Sequence, residues 1–251
     1  MEHLFRRNAV LEALRGRRRL HRLWLQDGLP PQQAKPLQAA AAERGVPVAR
    51  ASKQKLTQLA GDSSHQGAVL EADPYPYSDL SEILVLAEER GEPPFLLLLD
   101  LLHGPQNIGS LLRTAEICGL HGVIIQDRRA PDITPHVVTH SAGATEHLLI
   151  ARVTNLVDII RQLQAANVWV AGLDLDETAH RPGTIDLDRP LALVVGHEGS
   201  GLRRLVRDSC DFLFQLPMRG RVASLNAAVA GSIALYLAWQ SRGFPGAGEE
   251  A

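Results

Sequence analysis

Aromatic residues are scarce in this sequence, cysteines are nearly absent, and no hydrophobic run is long enough to cross a membrane. The apolar runs, such as 95–99, are no longer than a β-strand or two helical turns, whereas a membrane-spanning helix needs about 20 apolar residues. The first ten residues, MEHLFRRNAV, lack the apolar stretch and the cleavage site of a signal peptide. These absences predict a soluble, cytoplasmic protein with no membrane partner.

The two cysteines, Cys118 and Cys210, have no metal-ligand spacing. In a reducing compartment such residues are usually thiols buried in the core. We therefore expect neither a disulfide nor a metal.

The net charge of −2 conceals an uneven distribution of charge. Residues 1–60 contain 12 Lys and Arg against 4 Asp and Glu, so the basic side chains are concentrated there. The most crowded stretch contains Arg15, Arg17, Arg18, Arg19 and Arg22. Such a cluster binds phosphate groups through counterion release, which predicts a nucleic-acid-binding surface; the alternative is a solvated helix end followed by a loop. Only Phe5 and Trp24 are aromatic in this part, so stacking on single-stranded bases is not the expected mode of binding.

The order of apolar runs and breaks divides the chain into two domains with a linker between them. Residues 1–72 read as a small α/β module, with helices at 8–14, 31–44 and 53–60 and strands at 20–25, 46–49 and 68–72. Two prolines in 73–78 interrupt the pattern, a helix is predicted over 79–90, and 91–94 interrupts the pattern again. We therefore interpret 73–93 as a linker that contains a bridging helix. Residues 94–243 form the second domain, and 244–251 are expected to be a disordered tail.

The second domain alternates between apolar runs and helical segments, which predicts an α/β fold with a mainly parallel sheet covered on both faces. The expected strands are 95–101, 122–126, 147–151, 168–173, 191–196 and 212–216. The helix over 224–240 is apolar nearly all round, so we expect it to be buried.

Three short segments of this domain follow predicted strands and carry glycines, amides and one arginine: 100–113, 195–202 and 216–227. Because ligands bind at the carboxyl ends of strands in open α/β sheets, these segments predict an active site. In the first, Asn107 is expected to cap a helix that begins at Ile108, with Arg113 off its apolar stripe. Ordinary capping and surface roles for both residues remain the alternative.

The other two segments are equally ambiguous by themselves. Glu198 lies among closely spaced glycines that suit close approach of the backbone to a ligand. Ser224 and Asn226 start the long helix; Ser224 could be its cap, whereas a buried Asn226 amide needs partners. Arg219 and Arg221 in the loop before it suit phosphate or ribose contacts, or simply solvent.

Competing sites are weaker. His136 and His140 have the spacing of zinc-binding histidines on a helix, but Val137 replaces the glutamate that a metalloprotease needs. Ser200 lacks the spacing of a hydrolase nucleophile. The acidic loop of Asp174, Asp176 and Glu177 is expected to be solvated.

Taken together, the three segments resemble the three motifs of the SpoU/TrmH class of SPOUT RNA methyltransferases. The matching residues are Asn107, Gly109 and Arg113 in the first motif, Gly196, Glu198, Gly199 and Gly201 in the second, and Pro217, Ser224, Leu225 and Asn226 in the third. Further segments are similar to RlmB-type ribosomal RNA methyltransferases: 8–10, 65–67, 143–146 and 152–155.

The resemblance implies a deep C-terminal trefoil knot that forms the pocket for S-adenosylmethionine, with no metal. The residues that it implies at the cofactor are Gly172, Leu173, Gly196, Leu216, Leu225 and Asn226. It also implies a homodimer whose active site lies near the subunit interface, and a ribosomal-protein-like RNA-binding domain at the N-terminus.

The implied reaction transfers a methyl group to a ribose 2'-hydroxyl. The resemblance to the RlmB type implies that the target is a guanosine of large-subunit ribosomal RNA. Catalytic roles fall to Arg113, Asn107, Glu198, Ser224 and Asn226. Arginine stays protonated, so we expect Arg113 to grip phosphate and stabilise developing negative charge rather than act as a base. The alternatives are a transfer RNA 2'-O-methyltransferase, a non-catalytic RNA-binding or ribosome-assembly protein of the same fold, and a nicotinamide-dependent reductase, whose glycine fingerprint the sequence lacks.

Overall fold

The computed structural model describes residues 1–127 and 132–248. The strands are β1 (Glu2–Phe5), β2 (Leu20–Gln26), β3 (Val48–Ala51), β4 (Ala68–Ala72), β5 (Phe95–Leu99), β6 (Gly122–Gln126), β7 (Ile150–Val153), β8 (Trp169–Leu173), β9 (Leu191–Val195) and β10 (Phe212–Phe214). The helices are α1 (Arg7–Arg15), α2 (Pro31–Glu43), α3 (Lys53–Ala60), α4 (Leu80–Arg90), α5 (Pro105–Ile117), α6 (Pro135–His140), α7 (Leu156–Ala165), α8 (Arg204–Arg207) and α9 (Ala227–Ser241). A 3-10 helix spans Ala144–His147. No helix among the described residues is long and apolar enough to cross a membrane.

The chain divides into two compact units, and the first is not a single stretch of sequence. It contains Met1–Pro76 together with Ile133–His147, and the second unit contains Tyr77–Asp132 and Leu148–Ala251. The segment Ile133–His147 belongs to the first unit because its apolar side chains, including Ile133, Val137 and Val138, are buried there. The Thr139 hydroxyl also donates to the Phe5 carbonyl over 3.0 Å.

The first unit is built on a mixed four-stranded sheet with the order β1-β4-β2-β3. β2 and β3 are parallel, and β4 pairs antiparallel with both β1 and β2. The sequence pattern identified three of these strands and missed β1. Four residues are too few to show an alternating pattern, and the pairing of Glu2–Phe5 with Val69–Ala72 is a long-range contact.

An ion pair lies inside the first unit. The Arg18 side chain is fully buried, and its Nε atom donates to both Glu146 carboxylate oxygens over 3.0 Å. Its Nη1 atom donates to Glu2 over 2.7 Å, and its guanidinium lies 5.0 Å from the centre of the Tyr75 ring. The structure therefore corrects the prediction that Arg18 binds RNA: its charge is neutralised inside the protein.

The second unit confirms the predicted parallel sheet. Its six strands have the order β10-β8-β9-β5-β6-β7, and every pair is parallel. The predicted apolar face of α7 is buried, and Asn155 caps this helix through Val157 N–H over 3.1 Å. Strand order does not define how the chain is threaded, so the trefoil knot remains a prediction.

Helix α9 differs from the prediction that it is buried on all sides. Ala228, Gly231, Ala234, Leu235 and Ala238 face the interior. Val229, Ile233 and Tyr236, however, are between 41% and 49% exposed and share one face at helical spacing. The protomer therefore presents an apolar stripe along this helix.

The first residues of the tail that was predicted to be disordered, Phe244 and Pro245, contact helix α9. The Phe244 ring lies edge-on to Trp239 at 4.9 Å, and Trp239 Nε1 donates to the Pro245 carbonyl over 3.1 Å. Residues 249–251 of that tail lie outside the described part of the chain.

Candidate active site

The candidate site forms where β5 and β9, which are neighbours in the sheet, end at Leu99 and Val195. Helix α5 follows β5, and helix α9 packs against α5 at Gly231. A Cβ atom at Gly231 would lie 2.9 Å from Leu111 Cδ1 and 3.0 Å from Val195 Cγ2, so a larger residue would push the two helices apart. The sheet and the two helices thereby bring the three predicted segments to one edge.

Asn107, Glu198 and Asn226 form a hydrogen-bonded triangle that joins the three segments. Asn107 Nδ2 donates to Glu198 Oε2 over 2.9 Å. Asn226 Nδ2 donates to Glu198 Oε1 over 2.6 Å and to Asn107 Oδ1 over 3.2 Å. Each carboxylate oxygen of Glu198 thus accepts an amide donor, and the two hydrogen bonds fix the position of the carboxylate.

The helix starts explain why these side chains can meet, and they correct two predicted caps. Helix α5 begins at Pro105 rather than Ile108, so Asn107 lies in the first turn and its amide is free for Glu198. Helix α9 begins at Ala227, and Asn226 rather than Ser224 is its cap: Asn226 Oδ1 accepts from the N–H groups of Ala228 and Val229. Ser224 lies exposed in the preceding loop.

A cavity of about 310 Å³ adjoins Glu198. Four of the residues that the resemblance implies at the cofactor line it: Leu173, Gly196, Leu216 and Leu225. Ser224, Asp174, His197 and Met218 are also in its wall, and the last three were not predicted. The volume lies within the range of small-molecule pockets, and residues of the loops 196–201 and 215–225 form much of the lining.

Two predicted glycines have different structural roles. A Cβ atom at Gly196 would lie 2.5 Å from the carbonyl carbon and oxygen of Gly201, so the chain can pass there only with glycine. Gly172 does not line the cavity; a Cβ atom there would meet Leu202 Cδ1 at 2.8 Å and Cys210 Sγ at 3.0 Å. Its role is close packing beneath the site.

Asp100 and Arg203 hold the glycine loop in place, and sequence reasoning assigned neither residue a role. Asp100 is completely buried at the end of β5 and accepts from Arg203 N over 2.8 Å and from Arg203 Nε over 2.7 Å. Arg203 Nη2 also donates to Gln126 over 2.9 Å. An aspartate directly after a fully apolar strand was the available signal, because a buried carboxylate requires a partner.

The acidic loop beside the cavity is paired rather than solvated, which corrects the prediction. Arg207 Nε lies 3.3 Å from Asp174 Oδ2, and Arg207 also contacts Asp176. Hydrogen bonds from Thr178, followed by the charge of Arg207, hold the pKa of Asp176 below its usual value. One arginine therefore pairs with both carboxylates, which leaves a net negative charge beside the cavity.

Arg113 does not join the triangle. It follows Asn107 by six residues, which places it about 120° away around α5, and it is exposed. It does not line the cavity, and within residues 1–127 and 132–248 it forms no hydrogen bond or ion pair. Arg219 and Arg221 are likewise exposed, in the loop before α9. The single chain therefore assembles three of the five predicted catalytic residues in direct contact and leaves Arg113 outside.

The remaining basic residues predicted to bind RNA stay on the surface of the first unit. Arg15, Arg17, Arg19 and Arg22 are exposed. Arg15 pairs with Glu12 over 3.1 Å, and Arg22 stacks on the Trp24 ring at 5.2 Å.

A parallel sheet that carries a nucleoside-sized cavity at the carboxyl ends of its strands defines a cofactor- or nucleotide-binding α/β enzyme. Residues 94–236 match the SpoU rRNA Methylase family, and residues 7–78 match the family described as RNA 2'-O ribose methyltransferase substrate binding. The chain belongs to the SpoU rRNA Methylase family.

Relatives span nearly the whole chain. The TrmH family tRNA/rRNA methyltransferase YacO of Bacillus subtilis (strain 168) is 39% identical over 241 residues, which cover 96% of each chain. The crystal structure of the SpoU methyltransferase AviRb from Streptomyces viridochromogenes has a TM-score of 0.77 at 26% identity and covers 96% of this chain and 89% of its own. An AdoMet-bound rRNA methyltransferase from Sinorhizobium meliloti has a TM-score of 0.75 at 26% identity, over 95% of this chain and 87% of its own.

The triangle predicts a specific effect of replacing Asn226 with aspartate. Asn226→Asp keeps an oxygen to cap α9 but places a second carboxylate against Glu198, where the amide donor was. We expect weaker cofactor binding, a loss of about 1–3 kcal/mol in the free energy of unfolding, and partial recovery at acidic pH, because like charges raise the pKa of one carboxyl group. Calorimetry with S-adenosylmethionine and urea denaturation at several pH values measure both effects.

Asn155→Asp is the matched control. It makes the same change at the cap of another helix in the same unit, where Asn155 is exposed. Asn155 Nδ2 also donates to a carboxylate, that of the exposed Asp158, over 2.7 Å. Equal losses for the two variants would show that a pair of like charges at any helix cap, and not the triangle, explains the effect.

Proposed function

We propose that this protein transfers a methyl group from S-adenosylmethionine to a ribose 2'-hydroxyl of structured RNA, and that its target is a guanosine of large-subunit ribosomal RNA. The observation that carries the proposal is the Asn107–Glu198–Asn226 triangle, because it fixes three distant segments beside a nucleoside-sized cavity. The substrate-binding match over residues 7–78 and the names of the relatives support RNA as the substrate. The proposed location is the cytoplasm.

The cavity residues fit the cofactor. Gly196 leaves room where a side chain would collide, and Leu173, Leu216 and Leu225 offer apolar surface to an adenine ring. Glu198 and Asp174 provide negative charge in the wall of the same cavity, which favours a cationic ligand. Bound S-adenosylmethionine would supply a methyl group attached to a sulfonium, and the neutral thioether that remains is a good leaving group.

The protein's own residues then position the ribose and stabilise negative charge on its oxygen. The triangle keeps the loops at 196–203 and 217–226 fixed, so the hydroxyl can be held at attack distance without reorganisation. Arg113 is proposed to bind the adjacent phosphate and to stabilise the charge that develops on the hydroxyl oxygen, while the proton passes late in the transfer to water or to that phosphate. Ser224, in the cavity wall, is proposed to contact the ribose.

Arg113 does not line the cavity of its own protomer, and a homodimer would bring it to the cavity of the partner. The apolar stripe of Val229, Ile233 and Tyr236 runs along α9, which packs against α5, the helix that carries Arg113. Leu225, at the cavity, is 40% exposed as well. We propose that this face binds the same face of a second copy, so that Arg113 of one protomer approaches the cavity of its partner.

The stripe predicts the effect of a charge placed in it. Ile233→Glu should convert the dimer to a monomer, because the buried glutamate would lack a partner, and light scattering coupled to size exclusion would show half the mass. Val85→Glu, at an exposed apolar position of α4, is the control and should leave the mass unchanged. An Ile233→Glu protein with wild-type mass would place the interface elsewhere.

The RNA class needs a direct experiment, since the relatives' names include both transfer and ribosomal RNA. Mapping 2'-O-methyl positions in both RNA classes, with and without this gene, should show one ribosomal guanosine that loses its methyl group. Loss of a transfer RNA methyl group instead would support the second candidate, a transfer RNA methyltransferase. Unchanged methylation in both classes would contradict the proposed reaction.

The proposed RNA-binding part comprises residues 1–72 together with 133–147. Deleting residues 1–72 would therefore not test it cleanly, because the deletion would expose Val137, Val138 and Glu146, which are buried in the first unit. Point substitutions on the surface of the intact chain avoid this problem.

A further inference from the structure

The first unit contains a cleft of about 630 Å³, and no residue of the arginine-rich stretch 15–22 lines it. Three basic side chains line it: Arg6, Arg7 and Lys53. Its remaining wall comes from Gln26, Leu29 and the loop 63–67. Basic charge is therefore concentrated at a concave surface, where field lines are focused.

Neutral partners, not acidic ones, hold the two arginine side chains of this cleft in place. Arg6 Nη2 donates to the Ser64 hydroxyl over 2.9 Å, and Arg7 contacts the amide oxygen of Gln33. Lys53 is exposed. Asp62 is the nearby acid, and its carboxylate accepts the Ser64 N–H over 2.6 Å. The guanidinium groups thus keep their charge available to a ligand.

The main chain around the cleft adopts conformations that ordinary residues avoid. Arg6 has φ = 70° and Gln66 has φ = 54°, although neither residue is glycine. Gly67 has φ = +78°, and a Cβ atom there would lie 2.8 Å from Leu29 Cδ1. Backbone strain of this kind is concentrated at ligand-binding sites, since the fold must compensate for its cost.

His65 supplies a second polar group to the cleft. It is 1% exposed, and its Nδ1 atom accepts the Gly67 N–H over 3.0 Å, so Nε2 carries the proton of the neutral ring. Burial, followed by the charge of Lys53, lowers the pKa of His65, with the main chain of Lys53 opposing the shift. The main chain of Lys53 acts on this ring but does not meet hydrogen-bond geometry with Nε2, so His65 holds the 63–67 loop in shape mainly through Gly67.

The start of α1 adds positive potential. Arg6 precedes the helix and provides no side-chain cap, and the first turn contains no acidic residue. The positive end of the helix dipole is therefore directed towards the cleft-lining residues Arg6 and Arg7.

We propose that this cleft binds the sugar-phosphate backbone of the RNA substrate, with Arg6, Arg7 and Lys53 on the phosphates and the 63–67 loop against the ribose or base. The inference rests on the proposed function and locates the RNA contact that the family match leaves unspecified. The principal RNA contact is then this concave surface and not the stretch 15–22, in which Arg18 is buried and paired with Glu146.

Two lysines of helix α3 provide a matched test. Lys53 lines the cleft and Lys55 does not, although both are exposed and carry the same charge. With purified large-subunit ribosomal RNA, Lys53→Gln should weaken binding about fivefold at moderate salt and reduce the slope of log affinity against log salt by about 0.7–0.9. Lys55→Gln should keep the wild-type affinity and slope, and both variants should keep wild-type affinity for S-adenosylmethionine.

Cross-linking the full-length protein to ribosomal RNA that contains 4-thiouridine gives an independent readout. Cross-linked peptides from 6–8 and 53–67 are the expected result. Cross-links confined to 15–22, or equal losses in Lys53→Gln and Lys55→Gln, would overturn the cleft while leaving the methyl-transfer proposal intact. A wild-type protein that binds this RNA but methylates no RNA would overturn the proposed reaction and leave the cleft standing.

Discussion

Arg113→Ala is expected to lower the rate of methyl transfer by about 10²–10³-fold and to leave the affinity for S-adenosylmethionine unchanged. The reason is that Arg113 lies outside the cavity, has no partner among the described residues, and is proposed to act on charge that develops only during the reaction. Single-turnover transfer from radiolabelled cofactor measures the rate, and calorimetry measures the cofactor affinity.

Two further variants separate charge from geometry. Arg113→Lys keeps the charge but loses the planar fork that binds phosphate through two hydrogen bonds, so it should recover only part of the rate. Arg161→Ala removes an arginine that is also exposed and lies on another helix of the same unit, and it should have wild-type rates. Near-normal turnover in Arg113→Ala would remove this residue from the mechanism.

Arg18→Ala is expected to lower the free energy of unfolding of the first unit by about 3–5 kcal/mol, since it leaves the fully buried Glu146 carboxylate without its cation. Amide hydrogen exchange over 1–76 and 133–147, read by mass spectrometry, measures the opening of this unit. Because the effect is structural, exchange in β8 and β9 of the second unit should stay unchanged.

The control for this prediction is an arginine three residues earlier. The side chain of Arg15 is 58% exposed and pairs with Glu12 at the surface, so Arg15→Ala should cost less than about 1 kcal/mol. Arg18→Met combined with Glu146→Leu should regain most of the stability lost in Arg18→Ala, because the unpaired charge is then absent. A stable Arg18→Ala protein would contradict the burial of this pair.

The sequence was informative about the second unit because its strands are buried on both faces. Each predicted strand there overlaps an observed one, since unbroken apolar runs such as Phe95–Leu99 arise only where both faces are covered. The amphipathic stripe of α7 was equally clear. Helix α9 was misjudged because an apolar stripe against the core and one that faces solvent look the same in sequence.

The three motif segments were visible in sequence, but their contacts were not. Nothing in the spacing of Asn107, Glu198 and Asn226 shows that the two amides share one carboxylate; that depends on where α5 and α9 begin. Segment 133–147 was assigned to the second domain by position, although its buried side chains belong to the first unit. Long-range burial of this kind leaves no local pattern.

The sequence by itself determined the fold class, the order of the elements of the second unit, and the family, because hydrophobic periodicity and short motifs are local properties of the chain. The tertiary structure decided which polar groups are neutralised and which remain available: Arg18 pairs with Glu146 inside the protein, whereas Arg113 and Lys53 stay exposed. The physical reason is that the electrostatic role of a charged side chain depends on its distance from other charges and from water, and only folding sets those distances.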